Sequence, residues 1–374
     1  MDAVPHASLP PTLMQPTATT GIVAAFHPGW FAAVMGTGIV AVAASLNPGR
    51  LPALAGPATA VGQLLAVLAL GIALVLAGPY LARWIRHPAA ARADFTHPLV
   101  GALYGTFPAG ILVLGAVAAA IGPSALASDL VVELVGAAAL VGGLIGIGVG
   151  VAGAYALIVT PDVPGHAANG AWFIPPVIPI ILPLLFGPLI PHVAPAEARL
   201  LLALGYGALG MGFLLFLLVG GLVYGRLVQH PLPAASLAPT LWIGLGPIGV
   251  ASLALLRLAS VGGVAWGAAA PAVTAVSSIA AVAIWGLGVW WFLLALLLLR
   301  RYVRSGGVPY GLGWWAFTFP LGAYTVATLT LTRNLDVVAL EVVGVGLFLL
   351  LCAFWLTVTL RTVGAIRSGE VFRR

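Results

Sequence analysis

The chain has 374 residues, of which 61% are hydrophobic and 6% are charged. Soluble globular domains are about 45–50% apolar and about 25% charged, so this composition excludes a water-soluble protein. The 15 basic residues are all arginine and outnumber nine acidic residues, which gives a formal net charge of +6. These arginines fall mainly between apolar runs, so nucleic-acid binding is not indicated.

Apolar runs follow one another along nearly the whole chain. A membrane-spanning helix needs about 20 apolar residues, whereas strands of membrane barrels alternate over about ten residues. The runs are long and continuous, so the sequence predicts an all-α polytopic membrane protein. Ten transmembrane helices are predicted near 28–46, 58–82, 98–121, 130–160, 173–191, 199–225, 238–258, 270–299, 312–332 and 338–361. They form one transmembrane domain, 23–361, between a short N-terminal tail, 1–22, and a basic C-terminal tail, 362–374.

The distribution of arginine predicts the orientation. Loops after even-numbered spans, with the C-terminal tail, hold eleven arginines, and loops after odd-numbered spans hold four. Because arginine-rich loops stay in the cytoplasm, both termini are predicted to be cytoplasmic, in a bacterial inner membrane. Residues 1–20 contain no arginine or lysine, so they lack the basic region of a cleaved signal peptide.

The odd-numbered spans share a break near their middle. Consecutive central prolines are 71, 68 and 73 residues apart, which indicates a repeat of about 70 residues and two helices. The breaks stand at Thr37-Gly38, Pro108, Pro179, Pro247 and Pro320. A proline inside a helix removes a hydrogen bond and kinks it, and irregular backbone is tolerated in a membrane where it lines a water-filled cavity. The five broken spans are therefore predicted to surround one axis, inside an outer ring of even-numbered spans.

Signals for other functions are missing or out of context. GVGVAG at 148–153 matches a dinucleotide fingerprint, but it lies inside an apolar helix with no preceding strand. Cys352 is the single cysteine, so neither a disulfide framework nor a cysteine-based metal site is available. Without a catalytic constellation, a metal motif or a cofactor motif, we predict that the chain is not an enzyme. A membrane scaffold is disfavoured because no loop is long enough for docking.

Ionisable residues inside the spans are few. Glu341 is the deepest, while His27 and His97 precede proline on the predicted cytoplasmic side. These three residues are candidates for a coupling group or a charged vestibule. A pathway without a fixed acid, surrounded by arginine, favours anions, which helix N-termini also attract. Four other charged residues lie at span ends, where they reach the interface: Asp129, Glu133, Arg257 and Arg333.

Five segments resemble the tellurite-resistance/dicarboxylate transporter family, which includes yeast malate permeases, fungal sulfite pumps and plant slow anion channels. They are FHPGWFAAVMGTGIV (26–40), THPLVGALYGTFPAG (96–110), AWFIPPV (171–177), PTLWIGLGPIG (239–249) and WWAFTFPLGA (314–323). The resemblance covers about 22–361. It implies five helical hairpins in a quasi-fivefold arrangement around a central pore, in a homotrimer with one pore per protomer.

The resemblance also implies that a phenylalanine of the ninth helix closes the pore. By motif position this gate is Phe319, with Phe317 two residues away. The predicted function is passage of a small inorganic anion or a dicarboxylate; the alternative is a carrier for malate-like C4-dicarboxylates or sulfite, with or without proton coupling. The predicted pore-lining residues are Thr37, Gly38, Phe107, Pro108, Pro176, Pro179, Gly246, Pro247, Phe317 and Pro320.

Overall fold

The structure is a computed structural model that describes residues 21–161 and 163–372. The expectations for residues 1–20 and for Arg373 and Arg374 lie outside the described residues. The described ranges contain helices and no strand. Nine of their helical segments are long and apolar enough to cross a membrane. The prediction of an all-α polytopic membrane protein is confirmed.

Ten helices of 14 to 35 residues follow one another in the described ranges. We number them α1 (Ala32–Ser45), α2 (Ala55–Arg86), α3 (Thr106–Ile121), α4 (Ser128–Val159), α5 (Ile174–Leu189), α6 (Pro195–Gln229), α7 (Leu245–Val261), α8 (Ala270–Arg304), α9 (Phe319–Leu335) and α10 (Val338–Arg367). The 17-residue α9 is not among the nine candidate spans, so the count of ten crossings stays a prediction. Helix α10 continues to Arg367, past the predicted start of the C-terminal tail.

The odd-numbered helices pack into a closed ring. Helix α1 packs on α3, α3 on α5, α5 on α7, α7 on α9, and α9 on α1 again. Each even-numbered helix packs on the odd-numbered helix before it. In the most apolar stretches of α1, α3, α5 and α7, 83%, 61%, 72% and 89% of residues are buried, against 17–33% in the even-numbered helices. The odd-numbered helices are therefore the inner ones; the fivefold symmetry of the ring stays a prediction.

The even-numbered helices present large apolar side chains to the outside. A folded protein in water exposes few contiguous apolar patches of this size, whereas a hydrocarbon environment accepts them without cost. The outward surface of the ten-helix assembly is therefore suited to lipid. One such exposed residue from each even-numbered helix is Leu74, Leu144, Leu218, Ile279 and Leu349.

Each inner helix changes its helix type near its start, and in α3, α7 and α9 this change lies at the predicted break. A 3-10 segment comes first, and the α-helix begins one to three residues after its last residue; the segments are Pro28–Phe31, Gly101–Gly105, Gly170–Phe173, Ala235–Trp242 and Leu312–Phe317. Pro108, Pro247 and Pro320 lie in the first turn of the following α-helix. Proline is tolerated in the first turn of an α-helix, where its fixed φ suits the helix and its ring does not clash with a preceding turn of the same α-helix. At these positions the expected proline kink is corrected to a 3-10-to-α transition.

In α1 and α5 the predicted break does not lie in the first turn of the α-helix, so the alignment of the repeat changes in these two helices. In α5 the third residue is Pro176, so Pro176 rather than Pro179 corresponds to Pro108 and Pro247. Pro179 lies further inside α5. In α1, which starts at Ala32, Thr37 and Gly38 also lie beyond the first turn.

Three even-numbered helices hold a buried polar side chain near the end that the arginine count places in the cytoplasm. Each donates a hydrogen bond to a backbone carbonyl in the segment leading into an inner helix. These carbonyls precede the first helical turn and need a partner when they are buried. The bonds run from Arg83 to Phe26, from Arg226 to His166 and from Tyr302 to Pro233, at 2.7, 3.3 and 2.7 Å.

The ring depends on close approach between α7 and α9 at Gly249. A Cβ atom at Gly249 would lie 2.6 Å from the carbonyl carbon of Ala323 and from the backbone nitrogen of Tyr324. We expect Gly249→Ala to force the two helices apart and to cost about 1–3 kcal/mol or more, as overpacking does. Thermal unfolding in detergent checks this. Gly207→Ala on α6, where a Cβ would meet nothing within 4 Å, is the control and should be neutral or slightly stabilising. Equal melting temperatures for both variants would contradict the tight contact.

Candidate functional site

Two cavities lie inside the ring of inner helices, one on each side of Phe319. We call one the outer cavity because it lies toward the C-terminal ends of the inner helices, on the predicted periplasmic side. It has a volume of about 310 Å³ and is lined by all five inner helices, including Ile39, Val113, Ile181, Val250 and Val326. The inner cavity, about 70 Å³, is lined by the 3-10 segments and first α-turns, including Met35, Thr106, Val177, Gly246 and Pro320. Among the described residues, Phe319 is the one that lines both cavities.

The side chain of Phe319 is buried where the two cavities approach each other. Only 6% of this residue is exposed. A Cβ atom placed on Gly246 would lie 3.6 Å from Cε1 of Phe319, so the ring packs directly against the backbone of α7. A large apolar side chain at a narrow point of a membrane pathway excludes water and ions. Phe319 therefore occupies the position that the predicted gate requires, between the two cavities.

The N-terminal ends of the five inner helices meet at the inner cavity. The first turns of α1, α3, α5, α7 and α9 all contribute to its wall. The N-terminal end of a helix carries the positive end of its dipole. The residues that precede the α-helices accept hydrogen bonds from N–H groups at the start of these helices, as the carbonyl of Leu103 does from Thr106 and that of Ile243 from Gly246, so the helix dipoles are what favours negative charge at this cavity.

His27 lies at this inner cavity, where a charged vestibule residue was predicted. Its Nδ1 accepts a hydrogen bond from the backbone N–H of Gly29 at 3.1 Å, which caps the first 3-10 segment. An accepting Nδ1 places the proton of a neutral imidazole on Nε2. A role for His27 in coupling or in attracting anions stays a prediction.

The outer cavity has mostly apolar walls built from one face of each inner helix. On α7 this face carries Val250, Leu253, Arg257 and Ser260, at the spacing of three and four residues that brings side chains onto one side of a helix. Arg257 was expected at the membrane interface, and the structure places it in the wall of this cavity.

Five of the predicted site residues, His27 among them, come together at the inner cavity, while a second group faces the outer helices instead. Gly246, Pro247, Phe319 and Pro320 line the inner cavity. The hydroxyl of Thr37 accepts a hydrogen bond from Nε1 of Trp355 on α10 at 3.1 Å. At Thr37 the structure therefore differs from the expectation of a free hydroxyl in the pore.

The two other predicted phenylalanines also pack away from the two cavities. Phe107 lies against Phe31 and Tyr80, with ring centroids 4.9 and 4.6 Å apart. Phe317 packs against Trp242 and Phe354, at 5.6 and 5.1 Å. Both rings fill space beside the neighbouring helices, so of the two candidates for the gate only Phe319 borders the pathway.

The remaining predicted residues serve close helix packing. Pro108 approaches Gly146 of α4, where an added Cβ would lie 3.4 Å from the proline Cβ. At Gly212 of α6 an added Cβ would lie 2.9 Å from Cγ of Pro179 and 2.6 Å from the carbonyl oxygen of Pro176. Gly38 lies against Val113 and Val117 of α3. The glycines of the even-numbered helices leave space for these prolines. These predicted breaks therefore face the even-numbered helices rather than the pore.

Glu341 and His97 lie outside the two axial cavities. Glu341 accepts hydrogen bonds from the backbone N–H of Gly49 at 2.8 Å and from Nε of Arg50 at 3.2 Å, and so fixes the loop between α1 and α2. His97 borders a separate cavity of about 470 Å³ between α4, α5 and α6. In 21–161 and 163–372, no three His, Cys, Asp or Glu side chains come together as metal ligands.

Because Glu341 holds a loop, we expect Glu341→Gln to affect stability rather than proton coupling. Loss of the charged hydrogen bonds should cost about 1–2 kcal/mol, since the Arg50 side chain is 44% exposed and partly screened. Thermal unfolding and flux under an imposed pH gradient measure the two effects. The exposed Glu133→Gln is the matched control. If Glu341→Gln instead removed a response to the pH gradient at unchanged melting temperature, the result would support the prediction that Glu341 is a proton-coupling residue.

Sequence reasoning missed most of the residues that line the cavities. They include Ile39, Met35, Val250 and Arg257. The inner helices are apolar on every side, so periodicity gives no signal for the face that points to the axis. The sequence shows Arg257 as the charged residue of the seventh span. Its spacing from Val250 indicates that it faces the cavity, but only once Val250 is known to line that cavity.

Comparison with known proteins gives matches over nearly the whole chain. The family described as "SLAC1: Voltage-dependent anion channel" matches residues 25–363. An uncharacterized transporter of Methanocaldococcus jannaschii is 34% identical over 94% of this chain and 96% of its own. A sulfite efflux pump of Arthroderma otae is 26% identical over 93% of this chain and 92% of its own. A malic acid transport protein of Schizosaccharomyces pombe is 24% identical over 55% of this chain and 49% of its own.

Proposed function

This chain belongs to the SLAC1 family of voltage-dependent anion channels, and from that premise we propose that it conducts small anions along the axis of its inner ring. The observation that supports this most is the pair of axial cavities separated by Phe319 alone among the described residues. The names of the relatives add sulfite and malate to chloride and nitrate as the anions to test first.

In the proposed mechanism, an anion in the inner cavity is held by the five helix N-termini. The helix dipoles attract it without the strong pairing that a buried arginine would give. Weak binding suits conduction, because an ion must leave as readily as it enters. Rotation of the Phe319 side chain joins the two cavities and lets the anion pass. Gly246, Pro247 and Pro320 form the wall beside the moving ring.

Flux into proteoliposomes tests this proposal. Purified protein would be supplied with chloride, nitrate, sulfite or malate, with and without an imposed pH gradient. We expect rapid, poorly saturating flux of several anions that follows voltage and ignores the pH gradient. Saturable flux of one acid that follows the pH gradient would favour the carrier alternative, with His27 as the coupling candidate at the axis. Absence of anion flux from well-folded protein would contradict both.

We further infer a homotrimer in a bacterial inner membrane, with both termini in the cytoplasm and no enzymatic activity. Support comes from the family, whose named members here are transporters, and from the arginine distribution. Light scattering of the purified protein measures the oligomer. Reporter fusions at the C-terminus measure the orientation, and a periplasmic C-terminus would reverse the assignment of inner and outer sides.

A further inference from the structure

The outer end of the ring has the opposite backbone electrostatics to the inner cavity. The C-termini of α1, α3, α5, α7 and α9 lie on that side, at Ser45, Ile121, Leu189, Val261 and Leu335. The last carbonyl groups of a helix carry the negative end of its dipole. The same five helices that attract an anion at the inner cavity therefore repel it at the outer one. An anion pathway needs a positive group there to offset this repulsion.

Arg257 is placed to be that group. It lies in the last turn and a half of α7 and lines the outer cavity beside Leu253 and Ser260. It is exposed to the cavity rather than buried in the protein. A positive charge near a helix C-terminus is also favourable for the helix itself.

Two other arginines near the outer end, Arg50 and Arg333, are engaged elsewhere, and Arg199 lies on α6 outside the cavity. Arg50 pairs with Glu341 at 3.2 Å and approaches Asp336 at 4.0 Å. Arg333 donates a hydrogen bond to the carbonyl of Leu46. Arg257 takes part in none of the ion pairs within the described part of the chain. Its charge is therefore available to a mobile anion.

We propose that Arg257 forms an outer anion-binding site, which draws small oxyanions or halides into the outer cavity and keeps this half of the pathway selective for anions over cations. The inference rests on the proposed function of the axis. A guanidinium has several donors in a planar fork, so it binds an oxyanion such as sulfite or a carboxylate by two parallel hydrogen bonds. Its partial exposure to water keeps the anion exchangeable.

The proposal is tested most directly by attaching a positive or a negative charge to a cysteine at position 257. The single native cysteine would first be replaced by Cys352→Ala, and Arg257→Cys then introduced together with Phe319→Ala to keep the pathway open. A positively charged and a negatively charged methanethiosulfonate reagent are applied from the outer side, with mass spectrometry to measure labelling. We expect the positive adduct to restore sulfite and nitrate flux and the negative adduct to suppress it. Arg257→Gln should raise the half-saturating outer anion concentration about tenfold, within the range for charges focused in clefts.

Arg199→Cys is the matched control, because Arg199 is exposed on the same predicted side but lies on α6, outside the cavity. Its two adducts should carry anions equally well. The proposal is overturned if Arg257→Cys is not labelled, or if its two adducts conduct alike with unchanged selectivity over cations. Because both adducts share one fold, a loss of stability cannot imitate the difference between them. Failure of the proposed function is distinct: the Phe319→Ala protein with Arg257 intact would then carry no anion.

Discussion

Phe319→Ala is expected to raise anion flux at least about tenfold, which corresponds to lowering the barrier by about 1.4 kcal/mol. Phe319 lines both axial cavities and is 6% exposed, so removing its ring joins two spaces of about 310 and 70 Å³. A joined, wider passage holds water continuously and no longer blocks ions by dewetting. Flux of nitrate and chloride in proteoliposomes at equal protein content checks the prediction.

Phe317→Leu is the control for this experiment. Phe317 is a buried aromatic residue two positions earlier, and its ring packs on Trp242 and Phe354 rather than on the pathway. It should lower stability slightly and leave flux unchanged. If Phe317→Leu opened the pathway and Phe319→Ala did not, the gate would have to be reassigned to the other phenylalanine. A melting temperature for each variant separates conduction from loss of folding.

Asp94→Ala should cause the largest loss of stability, about 3–5 kcal/mol, because it leaves a buried guanidinium without its counter-charge. Nη2 of Arg83 donates to Oδ2 of Asp94 at 2.6 Å, and the two side chains are only 4% and 15% exposed. Nη1 of Arg83 also donates to the carbonyl of Phe26 at 2.7 Å, next to His27 at the inner cavity. Loss of the pair should therefore disturb the inner end of the pathway as well. Thermal unfolding in detergent measures the stability, and flux measures the second effect.

Two comparisons isolate the charge. Asp129→Ala removes an exposed carboxylate from the first turn of α4 and should cost at most about 1 kcal/mol. The double variant Arg83→Met with Asp94→Ala removes both charges and should recover part of the loss. If the double variant were less stable than Asp94→Ala alone, the contact of Arg83 with the Phe26 carbonyl, rather than its pairing with Asp94, would be its main contribution.

The helix dipoles make the two ends of the inner ring electrostatically different, so the proposed pathway is not symmetric about Phe319. Five helix N-terminal ends line the inner cavity, and the last turns of α1, α3, α5 and α7 reach the outer one. In the proposed mechanism an anion is held by the helix dipoles on one side of Phe319 and depends on a side chain, Arg257, on the other. Changes at the outer side should act mainly on outer anion concentration, and changes at Phe319 on the maximal rate.

The sequence alone determined the membrane class, the order of the helices and the pairing into inner and outer elements. Continuous apolar runs, clusters of arginine and a break in every odd span are local properties. In the structure the runs form helices, the described arginines that follow the even-numbered spans lie in helical segments rather than in loops, and each odd span has a 3-10-to-α transition. The sequence also identified Phe319, beside Pro320, as the candidate gate, because its motif resembles that of the family.

Only the tertiary structure decided which side chains face the axis. Phe107, Pro108 and Phe317 stand at the breaks, yet they pack against neighbouring helices, where glycines and aromatic rings leave space for them. Glu341 and Arg257 look alike in sequence, as single charges near span ends. Glu341 is held by Gly49 and Arg50, while Arg257 lines the outer cavity. An inner helix that is apolar on every side carries no periodic signal for its rotation, so rotation is set by packing between helices far apart in sequence.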